Sequence, residues 1–153
     1  MHYRPMPQFE TRITIPKSRE EVFDFLIRTE NLLELMPADG TMRVIAAPDV
    51  IQCGSRLEFQ ANAFGQSLDI IHEVTELVAP ARVTEVQIKG LFKKWVHEHL
   101  VEEDVPGRVV AIDRIEFEPP GGMLGFLVTP RRITEQLESL FAHRHTQMRK
   151  ILG

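Results

Sequence analysis

In the stretch KKWVHEHLVEED, residues 93–104, His97 and His99 stand two positions apart behind Trp95, with Glu98 between them. Imidazoles exchange protons near neutral pH and ligate metal ions. If this stretch is a strand, residues two apart project from one face. Trp95, His97, His99 and Val101 then point one way, and Val96, Glu98, Leu100 and Glu102 the other. The next stretch repeats the pattern, with Ala111, Asp113, Ile115 and Phe117 on one face and Ile112, Arg114, Glu116 and Glu118 on the other. The first of those faces is apolar apart from Asp113, so it is expected to look inward. A hairpin closing near DVPG pairs residues whose numbers sum to about 210–212. At 210, Trp95 lies opposite Ile115, His97 opposite Asp113 and His99 opposite Ala111. Directly opposed Cβ atoms sit about 4.5–5.5 Å apart, close enough for an imidazole to meet a carboxylate. A one-residue slip would move the histidines to the face of Arg114 and Glu116.

Three chemistries stay open for this cluster. The histidines are ordinary polar residues of a mixed sheet face; or His97 and Asp113 form a pair inside a cavity that orients a ligand or moves a proton; or His97, His99 and Asp113 ligate a metal. The last needs a further ligand from elsewhere, and an isolated H-x-H is common by chance. The reading therefore assigns no metal and no cofactor.

Other polar residues carry the same choice between site and scaffold. His145 stands at the edge of an apolar helical stripe and either reaches the cavity or keeps its tip in water. Arg144 binds a ligand carboxylate or serves as a cation near a helix end. His72 alternates with Leu68, Ile70 and Val74 and is expected to face inward as hydrogen-bonded filling. Cys53 has no basic pattern near it, so no reactivity is assigned. PPGGMLGF is either a lid at a cavity mouth or a connector.

The elements that must position these residues follow from periodicity. Residues 9–15, FETRITI, alternate with period two and end at Pro16, which suits a strand. SREEVFDFLIR opens with a capping box, in which Ser18 accepts from the Glu21 N–H and the Glu21 carboxylate reaches back to the Ser18 N–H. Val22, Phe23, Leu26 and Ile27 form its apolar stripe. Thr29 reads as the N-cap of a second short helix ending at Pro37. Six strands are expected at 42–47, 54–61, 65–77, 82–89, 93–103 and 108–117, separated by APD, NAFG, APA, KG and DVPG. Such short separators favour an antiparallel meander. Thr129 caps a final helix with Pro130 at its first position. Ile133, Leu137, Leu140, Phe141, Met148 and Ile151 form the helix's apolar stripe. A helix over 130–151 spans about 33 Å, enough to cross a sheet.

The whole is read as a single α+β domain over 1–153: a curved seven-stranded antiparallel sheet wrapped around one long C-terminal helix. The 153 residues suffice for one core. A net charge of −4 without a basic run argues against nucleic acid as a partner. One cysteine excludes an internal disulfide. No apolar run reaches bilayer length, and the N-terminal stretch lacks the apolar core of a signal peptide, so a cytoplasmic chain without membrane insertion is expected, as a monomer or weak homodimer.

Two stretches carry a family resemblance. ITIPKSREEVFDFLIRTENLLELMP (13–37) and the segment 95–152 resemble the START/SRPBCC superfamily, the helix-grip fold shared with the birch-pollen allergen. The second is similar to a bacterial cyclase/dehydrase-like or ligand-binding branch, with a WxHxH strand at Trp95, His97 and His99. Its DxIxF strand falls on Asp113, Ile115 and Phe117. Its PxGxLG loop falls on Pro120, Gly122, Leu124 and Gly125, and its LFxxR helix end on Leu140, Phe141 and Arg144. The resemblance implies a cavity between sheet and long helix. The fold hosts lipid binding, hormone binding, polyketide ring closure, hydroxylation and chaperone partnership, so it does not choose an activity. No Rieske-type cysteine–histidine cluster is present, which removes the hydroxylase branch.

The leading expectation is binding of a small, largely hydrophobic, lipid- or polyketide-like molecule. Phe59, Trp95, Ile115, Phe117, Leu137, Phe141 and Met148 are the expected apolar walls, and His97, His99 and Asp113, with His145 nearby, the polar anchors. The rival expectation is a cyclase or dehydratase using His97 and Asp113 as catalytic acid–base pair. A third is a protein-docking module, which a large exposed apolar patch would favour.

Overall fold

The structure, a computed structural model, describes residues 5–63 and 65–153. The signal-peptide reading of the first residues and the turn expected at NAFG both involve residues outside that set. The chain runs β1 (Gln8–Ile15), α1 (Arg19–Leu26), α2 (Thr29–Leu35), β2 (Met42–Ala46), β3 (Arg56–Ala63), β4 (Gln66–Val78), β5 (Arg82–Lys89), β6 (Lys94–Val105), β7 (Arg108–Glu118), α3 (Leu124–Leu127) and α4 (Pro130–Leu152). The seven strands form one antiparallel sheet in the order β1-β7-β6-β5-β4-β3-β2. Strands β2 to β7 are the expected meander, and β1 returns to pair with β7. The short turn of helix α3 within PPGGMLGFL has no counterpart in the sequence reading.

Local chemistry sets the helix ends. Ser18 accepts from the Glu21 N–H at 3.2 Å, as a capping box requires. The Ser18 hydroxyl, not its N–H, then donates to Glu21 Oε1 at 3.2 Å. Thr29 is not a cap: it is the first residue of α2, and its hydroxyl donates to the Pro48 carbonyl, tying the helix to the β2–β3 loop. Thr129 caps α4 by accepting from the Arg132 N–H at 3.3 Å, with Pro130 beginning the helix.

The long helix buries Ile133, Leu137, Phe141, His145 and Met148. His145 therefore sits within the stripe, while Ile151 is exposed and Leu152 packs against the core in its place. The cause is the 3.6-residue period: steps of four and three from Phe141 arrive at His145, Met148 and Leu152. Two apolar clusters flank the sheet's concave side. One joins α1, α2 and Met148 to the strands; the other joins Phe9, Ile115, Phe117, Ile133, Leu137 and Phe141.

The β6–β7 pairing decides the direction of the histidines. At the turn Val105 pairs with Arg108, a sum of 213, and beyond a bulge at Asp104 Glu103 pairs with Val109, a sum of 212. The bulge absorbs one residue and restores even parity. The register is thus two residues from the 210 pairing: Trp95 faces Phe117, His97 faces Ile115 and His99 faces Asp113. A shift of two leaves every side chain on its expected face. Arg108 grips the bulged Asp104 at 2.6 Å and 2.8 Å. Gly107 closes the turn at φ +79°, a conformation that costs a side-chain-bearing residue about 1–2 kcal/mol. Gly107→Ala is therefore expected to lower stability by about that amount, read as a shift in urea midpoint without change of slope. An unchanged midpoint would show that the turn does not need the left-handed residue.

Candidate functional site

Four adjacent strands bring five ionisable side chains to one patch of the concave face. His72 comes from β4, Glu85 from β5, His97 and His99 from β6, and Asp113 from β7. Glu85 lies directly opposite His97, and Asp113 directly opposite His99. Asp113 Oδ1 touches both imidazoles, His97 Nε2 at 2.7 Å and His99 Nδ1 at 2.9 Å. The other nitrogen of each ring turns to Glu85 Oε1, His97 Nδ1 at 3.2 Å and His99 Nε2 at 3.4 Å. His72 Nδ1 lies 3.7 Å from that same oxygen. The rings of His97 and His99 stack at 3.8 Å between centroids.

Asp113, Glu85 and His97 are buried, and His99 nearly so. Burial alone disfavours charge on every one of them. For Glu85 burial pushes the carboxyl up, but the contacts with His72, His97 and His99 outweigh it and hold it well below the usual range. For Asp113 the same contest is won by His97 and His99, helped by the positive field of Arg144. Burial lowers His99, yet Asp113 and Glu85 on its two sides raise it to about 9. His145 is pulled down, mainly by burial.

Glu85 is the member that the sequence reading missed. Its strand, RVTEVQIK, offers Val86 and Ile88 as the apparent inner face. The structure instead buries Val83 and Glu85 and leaves Ile88 exposed. The only signal was register: once β5 pairs with β6, Glu85 falls opposite His97.

The patch forms part of the wall of a cavity between sheet and α4, with a volume of about 190 Å³. Of the expected lining residues, Phe59, Trp95, His97, His99, Ile115, Leu137 and Phe141 do line it, along with His72, Glu85 and Arg144. Asp113 stands behind the two histidines. Phe117 packs against Phe92 and Trp95 in the second apolar cluster, and Met148 lies in the first. His145 packs edge-on against Phe141 beyond the wall, and its buried Nε2 has no hydrogen-bond partner among the described residues. None of residues 120–127 lines the cavity; α3 leaves Met123 and Phe126 exposed on the outer surface.

Arg144 belongs to the middle of α4, away from the helix end. Its guanidinium lies 5.7 Å from the Phe141 ring centroid, and it forms no salt bridge among the described residues. Its Nε, Trp95 Nε1 and His72 Nδ1 are buried without hydrogen-bond partners there. All three residues line the cavity.

The titration directions give stability a defined pH profile. His99 is raised from 6.5 to about 9 in the folded state, so its contribution is complete below about pH 6.5 and is lost as pH rises through 9. Asp113 and Glu85 are lowered, so their contributions are present above the usual carboxylate range, near 3.8 and 4.5, and are lost as pH falls through the folded values. Unfolding in metal-free buffer is expected to show greatest stability between those limits, with an alkaline decline that His99→Gln flattens. An alkaline limb identical in the variant would mean that His99 does not carry the charge.

No family model matches the chain, and no curated protein matches it. Solved structures do. TTHA0849 from Thermus thermophilus shares 16% identity over 96% of this chain and 100% of its own, with a TM-score of 0.73. The Zhui aromatase/cyclase from Streptomyces sp. R1128 shares 13% identity over 93% of this chain and 88% of its own, with a TM-score of 0.67. Ara h 8.0201 shares 15% identity over 91% of this chain and 95% of its own, with a TM-score of 0.60. No helix among the described residues is long and apolar enough to cross a membrane. The seven-stranded antiparallel sheet curled around a long C-terminal helix is the helix-grip α+β fold.

Proposed function

We propose that the protein binds a small, largely hydrophobic molecule in the cavity between the sheet and α4. The observation that carries this reading is the apolar chamber itself, walled by residues such as Leu57, Phe59, Val74, Ile115 and Phe141. Its 190 Å³ is less than the roughly 300–1,000 Å³ of drug-sized ligand sites. A second cleft of about 840 Å³ adjoins it, however, and Met42, Ile70, Phe92, Trp95, Leu137 and Leu140 line both. A ligand would bury one end in the chamber and extend into the cleft. The N–H groups of Trp95 Nε1 and Arg144 Nε, without hydrogen-bond partners among the described residues, fit a ligand whose inner end carries hydrogen-bond acceptors or negative charge.

Native mass spectrometry of the protein from its own host, with titration by an apolar anilinonaphthalene fluorophore, tests this. Saturable binding is expected, and Ile70→Trp, placed where chamber and cleft meet, should weaken it by about tenfold, equivalent to ~1.4 kcal/mol, with the unfolding midpoint kept. Absence of both saturable binding and any co-purifying organic molecule would overturn the reading.

A second reading has one specific observation behind it: the buried 2.7 Å contact between His97 and Asp113. A carboxylate on one imidazole nitrogen fixes the tautomer of the other, as acid–base catalysis of a cyclisation or dehydration requires. The aromatase/cyclase among the similar structures makes ring closure of a polyketide-like chain the reaction to try. This reading expects a bell-shaped rate profile and loss of turnover in Asp113→Asn. Equal product formation with and without the protein would reject it.

A further inference from the structure

We propose that Glu85, His97 and His99 form a binding site for a divalent first-row transition metal of the zinc type, opening into the cavity. This goes beyond the apolar-ligand reading and does not depend on it.

Asp113 Oδ1 contacts one nitrogen of each imidazole, at 2.7 Å and 2.9 Å, within the range of charge-assisted hydrogen bonds. His97 is hydrogen-bonded to Asp113 through Nε2, whereas the hydrogen bond of His99 joins its Nε2 to Glu85 at 3.4 Å. His97 Nδ1 and His99 Nε2 are both turned to the Glu85 carboxylate. Three ligand atoms, one carboxylate oxygen and two imidazole nitrogens, thus converge in one buried place. A proton in the cluster balances the Glu85 charge when no metal is bound, and a divalent cation would take its place. One divalent cation satisfies all three donors together.

The distances suit that occupant. Ligands at about 2.0–2.1 Å in tetrahedral array lie about 3.3 Å from one another. Glu85 Oε1 is 3.2 Å from His97 Nδ1 and 3.4 Å from His99 Nε2. These separations are longer than those to Asp113, and one donor atom from each of the three residues lies within 4.8 Å of the others. Asp113, in contact with both rings, takes the part of the outer carboxylate that metal-bound histidines usually have. The two carboxylates also split cleanly by location: Glu85, His97 and His99 line the cavity, and Asp113 does not. Two histidines and a glutamate leave a fourth position open, as in catalytic zinc sites rather than closed structural ones. His72 lines the cavity beside these donors, its Nδ1 3.7 Å from Glu85 Oε1.

The experiment loads chelator-stripped, full-length protein with Co(II) and with Zn(II). About one equivalent is expected to bind, Co(II) giving the intense visible absorption of a tetrahedral site, and Zn(II) displacing it. X-ray absorption of the zinc-loaded wild type should show nitrogen and oxygen ligands without sulfur. Glu85→Gln and His99→Ala should abolish stoichiometric binding, Asp113→Asn should weaken it about 10–100-fold, and His143→Ala, whose imidazole meets the Met36 carbonyl apart from this cluster, should leave it intact. Failure of the wild type to bind either ion at micromolar concentration overturns the proposal, however the variants fold. So does sulfur in the coordination shell, which would assign the metal to Cys53, or binding lost in His143→Ala but kept in His99→Ala.

Discussion

A single bulged residue, Asp104, holds the chemistry of this protein on the inner side of its sheet. The two-residue turn after Val105 sets an odd pairing sum, and odd sums would place His97 and His99 against the outward-facing Arg114 and Glu116. The bulge removes one residue from the count, and the Arg108 guanidinium holds it in place. Because strand side chains alternate with period two, this local event reverses the direction of every residue from Lys94 to Glu103. The His97 and His99 contacts to Asp113, and through β5 to Glu85, exist only on that parity.

Given that parity, the cluster is held by opposition of large electrostatic terms. Each buried carboxylate would be costly alone, and each imidazole beside it lowers that cost. Asp113 is shared between two rings on one side and Glu85 on the other, so the rings are fixed in orientation by contacts at both nitrogens. The apolar surroundings strengthen these interactions by keeping the local dielectric low. Phe141 stands edge-on to His97 from the α4 side, so helix and sheet together confine the imidazole.

The same helix gives the cavity its mixed character. Leu137 and Phe141 supply apolar wall, and Arg144, one turn further, brings a cation that the protein itself does not neutralise within salt-bridge distance among the described residues. An apolar chamber with carboxylate–imidazole chemistry on the sheet and a guanidinium on the helix is polarised across its width.

The sequence alone determined the element order, the antiparallel meander, the capping of α1 and α4, and the inward face of β6 and β7, because these depend on local periodicity and short turns. It was also enough to place Phe59, Trp95, Ile115 and Leu137 on faces that turn inward. It did not reveal that His99 rather than His97 faces Asp113, since a bulge is a one-residue event with no strong local signature. Nor did it reveal Glu85, whose strand reads as polar on the side that is buried. Thr29 was read as a cap because its type allows it, while the Pro48 carbonyl that claims its hydroxyl is distant in sequence. Tertiary structure decided these points for one reason: a buried polar group is placed by the partners that neutralise it, and those partners come from other strands.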